Sequence, residues 1–155
     1  RWPSKVKAGS SWDKPVCQTD LLATLAEMVG VELPPNAGED SDSFYSVLLG
    51  QKPKASRVPM IHHASNGRFA IRDGKWKLVM QHARNQAELY DLHEDSSEKK
   101  NLSKAQSQVV KRLTQRITTI VRNGRSTEGS AQANDTPPWP DLAWMQSASK
   151  PKKKK

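Results

Sequence analysis

Residues 61–80 read IHHASNGRFAIRDGKWKLVM, and the fold turns on the Asp73-Gly74 pair inside them. Asp-Gly is a favoured two-residue hairpin turn, because both positions tolerate positive φ. A turn centred there pairs Arg72 with Lys75, Ile71 with Trp76 and Phe69 with Leu78. Side chains alternate across a strand, so Phe69, Ile71, Trp76 and Leu78 share one face. Arg72, Lys75 and Lys77 take the other face or the edge. One side of the hairpin is core and the other is wet. MIHH (60–63) precedes it as a strand, and AELYDLH (87–93) follows as another after the connection 81–86.

Helical patterns flank these strands. In TDLLATLAEMVGVELP (19–34), Leu21, Leu22, Leu25, Met28 and Val29 recur at helical spacing and form an apolar stripe. Thr19 or Asp20 serves as its cap, Gly30 suits the left-handed position after its end, and Pro34 and Pro35 forbid continuation. EDSDSFYSVLLG (39–50) predicts a short helical turn, and QKPKASR (51–57) a polar connector. In NLSKAQSQVVKRLTQRITTIVRNG (101–124), Val109, Val110, Leu113, Ile117, Ile120 and Val121 make a second stripe. Ser103 and Gln106 have capping-box spacing, and Gly124 supplies the stop. Beyond it the chain lacks periodicity. Trp139 and Trp144 predict an extended arm that packs, and the final ten or so residues predict disorder. No internal repeat occurs. The order predicts an α+β fold: a small antiparallel sheet of about four strands with a C-terminal helix packed on it.

Composition narrows the classes. Of 155 residues, 35% are hydrophobic, and the formal charge is +9. Residues 1–100 hold 14 Lys/Arg against 13 Asp/Glu, whereas 101–155 hold 11 against 3, so the basic character belongs to the C-terminal third. Its run SKPKKKK reads as a solvated tail, with polyanion or membrane-surface attraction as the functional alternative. No apolar run approaches the roughly 20 residues of a membrane span. RWPSKVKAG at the start carries no targeting signal, which leaves export open. Cys17, the single cysteine, excludes an internal disulfide and a CxxC metal pattern, and reads as a buried thiol rather than a nucleophile.

The histidines are the first candidates for chemistry. In a strand, His62 and His63 project from opposite faces and do not chelate one metal as neighbours. His82 and His93 show no ligand spacing to either. No Gly-rich phosphate loop, HExxH or GxSxG is present. The acidic pairs 39–40 and 94–95 lie in polar loop sequence. Arg68 and Arg72 are candidate anion binders, with a charged hairpin surface as the plainer reading. No nucleic-acid motif occurs, and the hairpin aromatics fall on its apolar face as core. The residues alone specify a folded α+β piece without an assembled active site.

The succession of segments nevertheless resembles the C-terminal portion of the type I sulfatases, the arylsulfatase-like family. RWPSKVKAGS resembles the family's RWPGKIKAG, and VCQTDLLATLAEMVGVELP its DLLPTL helix. EDSDSFYSVLLG, GRFAIRDGKWKLV and ELYDLHEDSSEKKNLS are similar to the next three family segments, and NGRSTEGSAQAND to a closing GRSTPG pattern. The match covers roughly residues 1–135. Ala23, Ser46 and Ser96 stand where prolines are common, and Ser4 where glycine is.

The resemblance implies three parts. Residues 1–57 are the end of an α/β catalytic domain, 58–124 a C-terminal antiparallel-sheet subdomain with its helix, and 125–155 an arm with a basic disordered tail. It implies that the parent is a sulfuric ester hydrolase, using a formylglycine made from the Cys or Ser of C/S-x-P-x-R and a calcium ion. Cys17 lies in VCQTD, without the following Pro and Arg, so no catalytic residue, metal ligand or cofactor is expected in this segment. The expected partners are the upstream catalytic domain and a sulfated small molecule or carbohydrate, with no specific nucleic acid and no membrane span. His62, His63 and Asn66 are the expected substrate-side contacts. Arg125 is expected to anchor the arm. The residues leave the compartment open, and the family resemblance implies the periplasm or the outside of the cell as the expectation. The rival expectations are a free-standing module whose basic tail engages polyanions, and an inactive truncated product.

Overall fold

The computed structural model describes residues 2–53, 56–82, 86–133 and 142–146. The chain forms two compact units. One runs to Val58 and takes in Arg125–Gln132; the other runs from Pro59 to Gly124 and takes in Ala133 and residues 142–146.

The second unit holds the sheet. Strands β1 (Met60–His63), β2 (Phe69–Asp73), β3 (Trp76–Val79) and β4 (Glu88–Asp91) form an antiparallel meander in that spatial order. Ile61, Ile71, Leu78 and Leu89 lie opposite one another along the ladders, so alternation puts them on one face with Phe69, Trp76 and Met80. Helix α3 (Ser107–Asn123) covers that face, and Leu113 and Ile117 are fully buried beneath it. Ile71, Leu78, Met80, Leu89 and Trp144 complete the core. Each such side chain contributes roughly 1.5–3 kcal/mol by leaving water. Asp73, at the end of β2, accepts hydrogen bonds at 2.8 Å from Arg112 and from Arg116, tying the turn to the helix above it.

The expected four-residue apolar face is therefore present, but the register differs. Asp73 pairs with Trp76, Arg72 with Lys77 and Ile71 with Leu78. The turn is centred on Gly74-Lys75, and of these two only Gly74 has positive φ, +59°. That is the pattern of a type II′ turn, with glycine at its first central position. Moving the turn by one residue shifts partners by two, so the parity of the faces survives. The α3 capping box also does not form. The helix starts at Ser107, no side chain caps Gln106, and the N–H of Ser103 is held by Asn101 Oδ1. Gly124 closes the helix with φ +63°, as expected. Trp144 packs, but from the helical turn α4 (Ala143–Gln146) rather than an extended arm. Trp139 and the Lys-rich end lie outside the described residues.

The first unit contains α1 (Asp20–Val29) and α2 (Tyr45–Leu48). Here the sequence pattern and the burial run opposite ways. The inward residues of α1 are Asp20 and Thr24, each 1% exposed, while Leu21, Leu22, Leu25 and Val29 are 48–73% exposed. Asp20 is not a cap. Its carboxylate accepts the N–H groups of Cys17 (2.7 Å) and Asp42 (3.1 Å) and pairs with Arg57 at 2.8 Å. Thr24 Oγ1 accepts the Phe44 N–H and donates to the Asp20 carbonyl. Thr19 Oγ1 instead donates to the Asp40 carbonyl. Cys17 is half-buried, not buried.

Arg125 anchors the returning segment. Its guanidinium donates to the carbonyls of Pro35, Thr127 and Ser130, and the Arg125 residue is only 8% exposed.

Candidate functional site

The three expected contact residues lie at one end of the sheet, where β1 turns into β2. The turn is built by two backbone hydrogen bonds, Ala64 N–H to Arg68 O and Gly67 N–H to Ala64 O, both 2.9 Å. Asn66 Oδ1 accepts the Arg68 N–H at 3.1 Å, an Asx-type closure that holds the amide at the tip. Gly67, at φ +83°, supplies the left-handed step. His62, His63 and Asn66 are all exposed.

Alternation sends the two imidazoles apart. His63 lies opposite Phe69 and stacks on its ring at 4.0 Å between centroids. Phe69 in turn meets Trp144 edge-on at 5.7 Å, and Trp144 Nε1 donates to Thr118 Oγ1. His63 is thus the outer rung of an aromatic ladder that reaches α3. His62 lies opposite Ala70 and points to the other face of the sheet. The structure therefore brings Asn66 to the same turn as both histidines but separates the histidines from each other.

On the His62 face stands a polar network that joins Arg68 to Glu88 and Tyr90. Arg68 donates to Glu88 Oε1 through both Nη1 and Nη2, at 3.3 and 3.2 Å, and to the Gln86 carbonyl. Tyr90 donates its hydroxyl to Glu88 Oε2 at 2.8 Å. Burial, reinforced by the neighbouring Glu88 carboxylate, pushes the Tyr90 phenol up to about 12. Lys77 pairs with Glu98 at 2.6 Å. The spacing of Glu88 and Tyr90, two residues apart in a strand, was the available signal, since it sets both on one face. Arg68 is consequently engaged by Glu88 and is no open anion site.

What the turn offers is recognition chemistry: imidazole and amide groups that donate and accept hydrogen bonds from an exposed position. Among the described residues no group of three His, Cys, Asp or Glu is placed to hold a metal ion. His93 pairs with its neighbour Glu94 in the open. No described helix is long and apolar enough to cross a membrane.

Comparison with known proteins bears on these geometries. The family model for "N-sulphoglucosamine sulphohydrolase, C-terminal" matches residues 1–123. An N-acetylgalactosamine-6-O-sulfatase of Bacteroides thetaiotaomicron is 31% identical over 134 residues, covering 77% of this chain and 26% of that protein. A solved Bacteroides thetaiotaomicron protein, described with the metabolism of multiple glycosaminoglycans, superimposes with a TM-score of 0.58 at 29% identity, over 65% of this chain and 24% of its own. A 2-O GAG sulfatase superimposes with a TM-score of 0.53 at 28% identity, over 73% and 27%. The chain spans about a quarter of the length of these relatives.

Proposed function

The chain belongs to the C-terminal family of the N-sulphoglucosamine sulphohydrolases, within the type I sulfatases, and from that premise we propose that it is the C-terminal part of an enzyme hydrolysing sulfate esters. The observation that carries this reading is the reversed helix α1. An amphipathic helix with buried Asp20 and Thr24 and four half-exposed or more exposed aliphatic side chains is built to be covered. Trp12, Val16 and Val31 extend the apolar surface along the same segment. A chain that is a quarter of its relatives' length supports one occupant, the catalytic domain of the same polypeptide. Burying these side chains there contributes on the order of several kcal/mol.

In this reading the segment is scaffold and cleft wall. Formylglycine and calcium are what the family supplies for the parent's chemistry. Cys17 is followed by Gln18-Thr19-Asp20 in place of the Pro and Arg of the family's motif, and among the described residues no group of three His, Cys, Asp or Glu is placed to hold a metal ion. The work of His62, His63 and Asn66 is to position the sugar of a sulfated carbohydrate by hydrogen bonds, the substrate class that the named relatives support. Asn66 is held by its own turn and His63 by Phe69, so both present their polar atoms with little loss of side-chain freedom.

The test uses the full-length protein and measures sulfate release from 6-O- and 2-O-sulfated amino sugars and from an aryl sulfate. Release from at least one carbohydrate sulfate is expected, and none from any ester rejects the sulfatase reading. His62→Ala, His63→Ala and Asn66→Ala should each lower kcat/KM roughly tenfold on the carbohydrate, the worth of one good hydrogen bond. Unchanged kcat/KM in all three rejects the cleft-wall role.

A further inference from the structure

From Lys99 to Thr127 the chain carries eight Lys/Arg (residues 99, 100, 104, 111, 112, 116, 122 and 125) and no Asp or Glu. Arg125 is buried and bonded to carbonyls, but Lys104, Lys111, Arg112, Arg116 and Arg122 are exposed on or beside α3. Leu113 and Ile117 set the buried side of this helix. Lys111, Gln115, Thr119 and Arg122 lie opposite, with Arg112 flanking them. Lys111 and Arg122 are eleven residues apart, three turns, and so project on one side about 16 Å from each other. Arg112 and Arg116, themselves at like-charge spacing, share the single carboxylate of Asp73, leaving one positive charge in excess. Lys111 and Arg122 have no ion-pair partner among the described residues. An ordinary solvated helix intersperses the two signs. This one sets Lys111 and Arg122 without a described carboxylate partner toward the two ends of its outer face, with the amide of Gln115 and the hydroxyl of Thr119 between them suited to sugar hydroxyls.

We propose that the outer face of α3 is a holding surface for a sulfated polysaccharide chain, separate from the turn that carries His62 and His63. The identity of the polyanion rests on the sulfatase reading above, whereas the charge surface does not. The face bears no aromatic side chain on which a base could stack, which favours a sulfated glycan over single-stranded nucleic acid. Its affinity is electrostatic and therefore salt-sensitive.

The experiment takes the full-length protein and the exposed double variant K111Q/R122Q, and measures binding of a fluorescent heparin oligosaccharide, its desulfated counterpart and single-stranded DNA between 50 and 200 mM salt. The double variant should bind the sulfated chain roughly tenfold more weakly at the low-salt end, with a salt slope smaller by about two. Hydrolysis of a sulfated monosaccharide should be unchanged by the substitutions, because that substrate has no further sulfated units to lie along the helix. Unaltered heparin binding by K111Q/R122Q, equal binding of the desulfated chain, or tighter binding of DNA each overturns the proposal. A protein that releases no sulfate yet loses heparin binding in the variant retains the surface and loses the sulfatase reading, so the two failures are distinguishable.

Discussion

The His63 imidazole lies flat on the Phe69 ring, with centroids 4.0 Å apart and planes 9° from parallel. A side chain predicted from sequence as a ligand contact is thus also a packing group at the sheet edge. Stacked pairs of this kind are worth about 0.5–1.5 kcal/mol beyond the area they bury. His63→Ala should lower unfolding stability by about 1 kcal/mol, whereas His63→Phe, which keeps a ring stacked on Phe69, should stay within about 0.5 kcal/mol. Denaturant unfolding of the two variants checks this, and equal losses would remove the stacking account.

Tyr90 gives a signature at high pH. Its phenol is raised from 10.0 to about 12, first by burial and then by the Glu88 carboxylate. The unfolded chain releases this proton near 10 and the folded chain retains it, so the folded state binds more protons between these values. The contribution is complete below pH 10 and is lost as pH rises toward 12. Difference absorbance titration of wild type against Tyr90→Phe should show one phenol ionising near 12, and the variant should lose stability less steeply above pH 10. A phenol titrating at 10 contradicts the Tyr90–Glu88 network.

Gly129 packs closely against the Arg125 guanidinium. A Cβ at Gly129 would sit 2.3 Å from Arg125 Nη1, and Gly129 has φ +142°, where side chains are strained. Arg125 cannot swing aside cheaply because Pro35, Thr127 and Ser130 hold its guanidinium. Gly129→Ala should therefore cost roughly 2–3 kcal/mol. In an Arg125→Ala background the same change should cost at least about 1 kcal/mol less, a coupling read by a double-mutant cycle. Additive losses would show that the clash is not with Arg125.

These details mark what the sequence could and could not convey. The sheet and α3 were legible because Phe69 and Ile71, like Trp76 and Leu78, are spaced at period two and Leu113 and Ile117 recur at helical spacing, periods that geometry imposes. The hairpin register was not, because Asp73-Gly74 and Gly74-Lys75 both place glycine where positive φ is needed, and only the backbone chooses between them. Helix α1 was legible as a helix and not in its orientation. Periodicity shows that Leu21, Leu22 and Leu25 share a face, but what covers that face is a property of other chain. The candidate turn was found through its histidines and Arg68 as a possible anion binder, while the pairing of Arg68 with Glu88 was not, since it joins residues twenty apart and only the Glu88–Tyr90 spacing leaves a local trace.

The outward stripe of α1 tests the account most directly. Leu22 and Leu25 are 50% and 54% exposed within this chain, so a polar substitution there should matter only if another part of the polypeptide covers them. The measurement is thermal unfolding of the full-length protein carrying Leu22→Lys with Leu25→Lys. A loss of roughly 3–5 kcal/mol and a Tm lower by several degrees are expected, together with loss of sulfate release. A full-length double variant that melts and turns over like wild type would show that nothing docks on this helix, and would contradict the claim that the chain is one part of a larger sulfatase.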